Sequence, residues 1–199
     1  MPTKLSQKVV ATALLPGVLL WSLALWGSVL LGTSTAQEPA EKRLAREANS
    51  NSLIREHRKA IVLSNSSSWS GWPADRAFDE NPKTSWFTAR GDAAALGTKP
   101  WIAAEFPADV TVKRITLLSN REPPWETGYT ILVGRLELLD GDGVVLFSRD
   151  DELGGERADM DVRLKAPLAK VRKIRFTSLR DEGDQNPYDD IAIGEILVE

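Results

Sequence analysis

Asp79, Asn81 and Thr84 crowd into one short stretch, Ala77-Phe78-Asp79-Glu80-Asn81-Pro82-Lys83-Thr84-Ser85-Trp86. Turn chemistry accounts for the Asp, Asn and Pro, but it does not call for Thr84 and Trp86 as well. A hard cation does. It takes about six to eight oxygens from carboxylates, amides, hydroxyls and backbone carbonyls, on a chain stiff enough to aim them inward. Asp79 brings the charge, Asn81 and Thr84 each offer a side-chain or main-chain oxygen, and Pro82 limits the freedom lost on closure. Trp86 then turns away from the ion and buries its ring beneath the loop. One carboxylate is thin for a divalent ion. Glu195 is the second candidate, an isolated acid within the apolar run Ile193-Gly194-Glu195-Ile196, where burial without a partner is costly. On spacing alone the loop reads either as a cation site or as an Asn-Pro turn capped by Asp79.

Asp140-Gly141-Asp142-Gly143 imitates the start of another calcium loop. Val144 stands where the third ligand is required and an apolar run follows, so the reading is a hairpin turn between Leu136–Leu139 and Val144–Phe147. Catalysis has little to stand on. Cysteine is absent and the single histidine, His57, reads as a solvated linker residue, which removes thiol and His-dependent serine chemistry from the domain that follows. A carboxylate pair can cleave glycosides. Here the acids that stand out by position are already assigned to the ion, and the chain is read as a non-enzyme.

The elements that must position these residues are short. From Ile61 onward, apolar runs alternate with Gly, Pro, Asn and Asp clusters, which is the pattern of many short strands. Strands are predicted at Trp101–Phe106, Val112–Ser119, Gly134–Leu139, Val144–Ser148, Met160–Leu164, Lys173–Ser178 and Ile191–Val198. Ile174 and Phe176 should point inward, since apolar and polar residues alternate there. With no helix pattern between the strands, the expected fold is all-β, an antiparallel β-sandwich. Trp101 opens a strand and is assigned to the core. Trp69 and Trp72, near the first strand, are read as core before ligand aromatics.

Ahead of the domain, Lys4 and Lys8 precede an uncharged stretch from Val9 to Thr33. That is a positive segment before an apolar one, longer than a usual cleaved signal and long enough to span a bilayer. Ser34-Thr35-Ala36 offers a cleavage site before Gln37. Residues 1–36 are therefore a signal peptide or a signal anchor, and both place the remainder outside the cytoplasm, periplasmic or extracellular, because the positive end stays inside. Residues 37–60 are charged and poor in large apolar residues, a linker or stalk with helical character over Ala40–Asn49. The domain is placed at 61–199.

Several landmarks occur in order: Pro73-Ala74-Asp75-Arg76-Ala77-Phe78-Asp79, Asn81, Thr84-Ser85-Trp86, Pro100-Trp101-Ile102, Val112-Lys113-Arg114-Ile115 and Ile193-Gly194-Glu195-Ile196. Together they resemble the discoidin domain, or coagulation factor V/VIII C-type domain, which includes carbohydrate-binding module family 32. The resemblance spans Ile61 to Glu199, about 70% of the chain. It implies a galactose-binding-like jelly roll of about eight strands holding a structural calcium (Ca2+). The implied ligands are Asp79, Asn81, Thr84 and Glu195, with the carbonyls of Arg76 and Gly194. Glu80 departs from the family's usual glycine and implies strain if φ is positive there.

The resemblance also implies a sugar site in loops at one end of the sandwich, where an aromatic face stacks on a sugar's C–H surface and a few charged groups take its hydroxyls. The loop Asn120–Tyr129 carries Arg121, similar to the family's hydroxyl-binding arginine, with Trp125 and Tyr129 as a platform. Tyr188 lies where such domains often carry a ligand aromatic. The alternative is that the aromatics cover the sandwich end and Arg121 pairs with Glu122 or Glu126. Phe87 replaces a histidine common in galactose binders, which puts galactose specificity in doubt.

Two functions stay open. One is an exported or membrane-anchored, non-catalytic carbohydrate-binding module whose partner is a glycan or polysaccharide. The other is a protein–protein or scaffold module of the cell envelope with the same fold and no sugar site. The formal net charge of −3 argues against nucleic acid. A membrane partner enters only through an uncleaved N-terminal segment.

Overall fold

A computed structural model describes residues 52–153, 159–182 and 188–199. The signal or anchor segment and the linker up to residue 51 lie outside the described residues. Among those described, no helix is long and apolar enough to cross a membrane.

The alternating segments form strands: β1 (Val62–Asn65), β2 (Trp86–Phe87), β3 (Trp101–Ser119), β4 (Ile131–Leu139), β5 (Val145–Glu152), β6 (Met160–Asp181) and β7 (Ala192–Val198). Every pairing is antiparallel, in the order β2-β7-β3-β6-β4-β5, with β1 against β3. The fold is an all-β sandwich, as the sequence pattern predicts. One finding differs. The expected strands Trp101–Phe106 and Val112–Ser119 are two halves of β3, and Met160–Leu164 and Lys173–Ser178 are two halves of β6.

Each long strand serves both layers. The first half of β3 pairs with β1 and with Lys173–Thr177 of β6, while its second half pairs with β7 and with Met160–Arg163 of β6. Register shifts between Glu105 and Arg114 turn the corner, as bulges do where a strand changes sheets. The corner residues Pro107-Ala108-Asp109 and Lys165-Ala166-Pro167 are exposed. Their polarity and prolines are what split each long strand in a sequence reading.

Ile102, Ala104 and Phe106 of β3, Leu136 and Leu138 of β4, Ile174 and Phe176 of β6, and Ile193, Ile196 and Val198 of β7 fill the space between the layers. Gly134 is required by this packing: a Cβ there would lie 2.2 Å from Cζ of Phe176. The Asp140–Gly143 segment is the β4–β5 hairpin turn, with Asp140 Oδ1 accepting from the amides of Asp142 at 3.0 Å and Val144 at 2.8 Å.

The packed body begins ahead of Ile61. A short helix, α1 (Leu53–His57), is capped by Ser52 Oγ, which accepts from Arg55 N at 3.3 Å, and it buries Ile54 to 2% exposure. His57 stands edge-on to Phe106 with ring centroids 5.8 Å apart. It is packed against the sandwich rather than solvated in a linker. Trp101 also differs from expectation: it is half-buried on the sheet surface, with the Arg175 guanidinium 4.7 Å from its ring centroid.

Candidate functional site

A 3₁₀ turn, Ala74–Phe78, buries Ala77 and Phe78 and delivers Asp79 to the start of the loop. Asp79 Oδ1 accepts from Asn81 N at 2.8 Å and Oδ2 from Thr84 Oγ1 at 2.8 Å. Thr84 Oγ1 also lies 2.8 Å from the Asn81 carbonyl, and Thr84 N donates to it at 3.0 Å. Glu80 adopts φ +65°, the left-handed region that the glycine expected from the resemblance would occupy freely. Its carboxylate is held by Arg55 Nε at 2.8 Å and Nη2 at 2.6 Å, so the departure is tied down by α1. Trp86 is fully buried, and its Nε1 donates to Ser67 O at 3.0 Å and Ser68 Oγ at 2.9 Å, anchoring the loop as anticipated.

Glu195 comes to this loop from β7, opposite Leu118. It is 1% exposed, and neither carboxylate oxygen has a hydrogen-bond partner. Its carboxyl is pushed up to about 9 by burial and by the negative charge of Asp79, with Glu80 adding to the repulsion. The nearby amides of Asn81 and Glu80 favour the charged form without offsetting these effects. The two acids therefore do converge. Gly194 permits the close approach of β7 to β3, since a Cβ there would lie 2.6 Å from the Ser119 carbonyl. Arg76 turns its side chain to Glu122, with Nη1 2.9 Å from Oε1. Only its carbonyl remains for the role the resemblance implies.

The donor set fits a hard cation. An orphaned buried acid lies close enough to Asp79 to feel its charge, Asp79 in turn holds the Thr84 hydroxyl, and a positive charge would relieve both the burial and the repulsion. Among the described residues no group of three or more His, Cys, Asp or Glu is gathered for a metal. The remaining ligands would have to be neutral oxygens, as in the predicted set.

A second feature lies beside this loop: a cavity of about 200 Å³ lined by Trp69, Trp72, Phe87, Trp125, Tyr129, Tyr188 and Asp190. The structure thus brings Trp125, Tyr129 and Tyr188 together. The rings meet edge to face, Phe87 against Trp72 at 5.7 Å and against Tyr129 at 4.9 Å, and Trp69 against Tyr188 at 6.1 Å. Trp125 and Tyr188 are 43% and 41% exposed. Asp190 Oδ2 accepts from Trp69 Nε1 at 2.6 Å. The Tyr129 hydroxyl is pushed above its usual range by burial and by the charges of Asp190 and Tyr188.

Arg121 does not line the cavity. It pairs with neither Glu122 nor Glu126 as its main partner; its Nη2 donates to Asp159 at 2.9 and 2.8 Å, and Nη1 to Ser119 O at 3.2 Å. Glu122 instead joins the two features. It accepts from Trp72 Nε1 at 2.9 Å, Arg76 Nη1 at 2.9 Å and Ser85 N at 2.7 Å. The sequence reading missed Asp190 as a wall residue and left Trp69 and Trp72 to the core. The serine- and glycine-rich company of those two tryptophans, Ser66 to Gly71, was the available signal of a loop.

No protein-family model and no curated protein matches the sequence. Solved structures do match the fold. A family 32 carbohydrate-binding module from a family 31 glycoside hydrolase of Clostridium perfringens superposes with a TM-score of 0.59 at 15% identity, covering 76% of this chain and 96% of its own. The family 32 module of C. perfringens NanJ, solved in complex with galactose, gives 0.55 at 19% identity, over 71% and 95%. An F5/8 type C domain from Bacteroides fragilis gives 0.54 at 18% identity, over 71% and 91%. The fold is the discoidin, galactose-binding-like fold.

Proposed function

We propose that this chain is a non-catalytic carbohydrate-binding module that works outside the cytoplasm, secreted or held by its N-terminal segment, and is clasped by a structural calcium ion. The observation that carries the binding reading is the aromatic cavity. Its rings offer faces for stacking on saccharide C–H surfaces, and Trp125 and Tyr188 are open to an arriving ligand. At about 200 Å³ it is smaller than the roughly 300–1,000 Å³ clefts that engulf a whole ligand, which suits one sugar ring or the end of a chain. The NanJ module, of the same fold, is a galactose complex, which supports a glycan as the ligand class here.

Asp79, Asn81, Thr84 and Glu195, with main-chain oxygens of Arg76 and Gly194, would hold the ion. Calcium would supply the charge that lets Glu195 stay ionised while buried between the first loop and the last strand. Among the described residues the cavity wall carries one carboxylate, Asp190, which accepts from Trp69 Nε1, and the site is read as one that binds and does not turn over.

A glycan array probed with the full chain and with Trp125→Ala tests this. Binding of a glycan class by the wild type, reduced in the variant, is the expected result. Silence across the array would favour the envelope-scaffold reading.

A further inference from the structure

Resting on the calcium reading above, we infer that Arg55 is a positioning residue of the cation site, and that α1 is thereby its third arm beside the loop 79–86 and β7. Glu80 is the residue that needs support. It stands between two of the proposed ligands, Asp79 and Asn81, at φ +65°, where an L side chain is strained and glycine is not. Its backbone sets how the loop faces β7, because the main-chain amides that act on the Glu195 carboxylate are those of Glu80 and Asn81. A residue so placed holds that conformation only if its surroundings fix it. The Arg55 guanidinium does so across 25 residues of chain, with Nε 3.0 Å from Oε1 and 2.8 Å from Oε2, and Nη2 2.6 Å from Oε2.

Arg55 is itself held in place. Ser52 caps α1, Ile54 is buried, and the helix packs against β7. Ile54 also lines one cleft with Phe78, the last residue of the turn that delivers Asp79. The ion pair is partly open to water, with side chains 55% and 14% exposed for Arg55 and Glu80. An exposed pair adds little to global stability, but a two-pronged guanidinium–carboxylate contact fixes direction as well as distance. Its effect is local: it keeps Asp79 and Asn81 in position before an ion arrives, so less of the binding energy goes into ordering the loop. Charge acts the other way, since an arginine repels a cation. That repulsion is small here, because Arg55 is neutralised by Glu80 and stands in solvent.

The test is calcium titration calorimetry on the full chain and on Arg55→Ala, Arg55→Lys, Glu80→Gly and the double variant Arg55→Ala with Glu80→Gly. Arg55→Ala should bind calcium roughly fivefold more weakly, the upper end for an exposed pair. Arg55→Lys should fall between it and the wild type, because lysine keeps the charge but not the fork. In the Glu80→Gly background, which needs no support at positive φ, Arg55→Ala should change nothing. By reciprocity, calcium should slow amide hydrogen exchange in α1 of the wild type, and slow it less in Arg55→Ala. Arg55→Ala leaves Ile54 and the Ser52 cap intact, so the fold persists, which urea unfolding in chelator checks. A lower midpoint there with unchanged calcium affinity would reduce Arg55 to a structural contact and overturn the inference. Tighter binding in Arg55→Ala, or an equal loss in the Glu80→Gly background, would overturn it too; each of these results leaves the calcium reading intact. A wild type that takes up no calcium would overturn both.

Discussion

At the scale of single residues, the account turns on two side chains with opposite needs. Glu195 is buried without a hydrogen-bond partner beside Asp79, and its carboxyl is held protonated up to about 9 against an ordinary 4.5. Without a cation the folded state therefore binds more protons than the unfolded chain across that interval, and stability must fall as pH rises through it. A calcium ion bound there, as proposed, would remove the need for the proton. Urea midpoints measured from pH 5 to 9 should slope downward in chelator and flatten in calcium, with the calcium-loaded protein the more stable by mass action. Identical profiles in both conditions, with no metal by elemental analysis, would remove the ion from the account. Trp125 has the other need. Its ring is 43% exposed, so Trp125→Ala should cost roughly tenfold in glycan affinity, about 1.4 kcal/mol, and leave the unfolding midpoint nearly unchanged.

At the scale of elements, α1 behaves as part of the sandwich. Ile54→Ala should cost about 2–5 kcal/mol, the range for deleting a buried aliphatic side chain, and a chain shortened to begin at Ile61 should melt lower than one beginning at Ser52. Equal melting of the two would mean that α1 contributes nothing to the body. Gly134→Ala should also destabilise, by about 1–3 kcal/mol, because the added methyl collides with the Phe176 ring. Chemical denaturation measures each. These elements also show what a sequence can and cannot disclose. Alternation exposed β4 and the second half of β6 because one face of each is apolar at period two, whereas β7 stood out as an apolar run and is buried at every position. The two-residue β2 and four-residue β1 are too short to carry a period, and α1 buries just Ile54, which leaves no stripe to detect. The acid in the last apolar run was legible because a lone carboxylate there demands a partner. Asp190 was not, since nothing in an Asp-rich loop marks which acid turns inward. Arg121 was misleading for a related reason: its partner Asp159 is 38 residues away and no local pattern points to it.

At the scale of the whole molecule, one end of the sandwich gathers both features. The segment 72–76, the loop 79–86 and the loop 120–129 meet through Glu122, which bonds Trp72 on the cavity wall, Arg76, and Ser85 next to Thr84. Ser85 Oγ donates to Asn120 at 2.7 Å, and Asn120 in turn bonds the Trp125 carbonyl. Calcium should accordingly rigidify the cavity as well as the fold. Glycan affinity measured with and without chelator should drop on metal removal, and Glu122→Gln, which weakens the charged link, should reproduce part of that loss. A module whose affinity ignores chelation would have a cation site and a cavity that are independent. The most direct measurement of the central claim is tryptophan fluorescence of the full chain in calcium during titration with a panel of neutral and amino-bearing oligosaccharides. Saturable changes with at least one of them, abolished or weakened in Trp125→Ala, are predicted; a signal that no saccharide moves, or that moves equally in the variant, would contradict it.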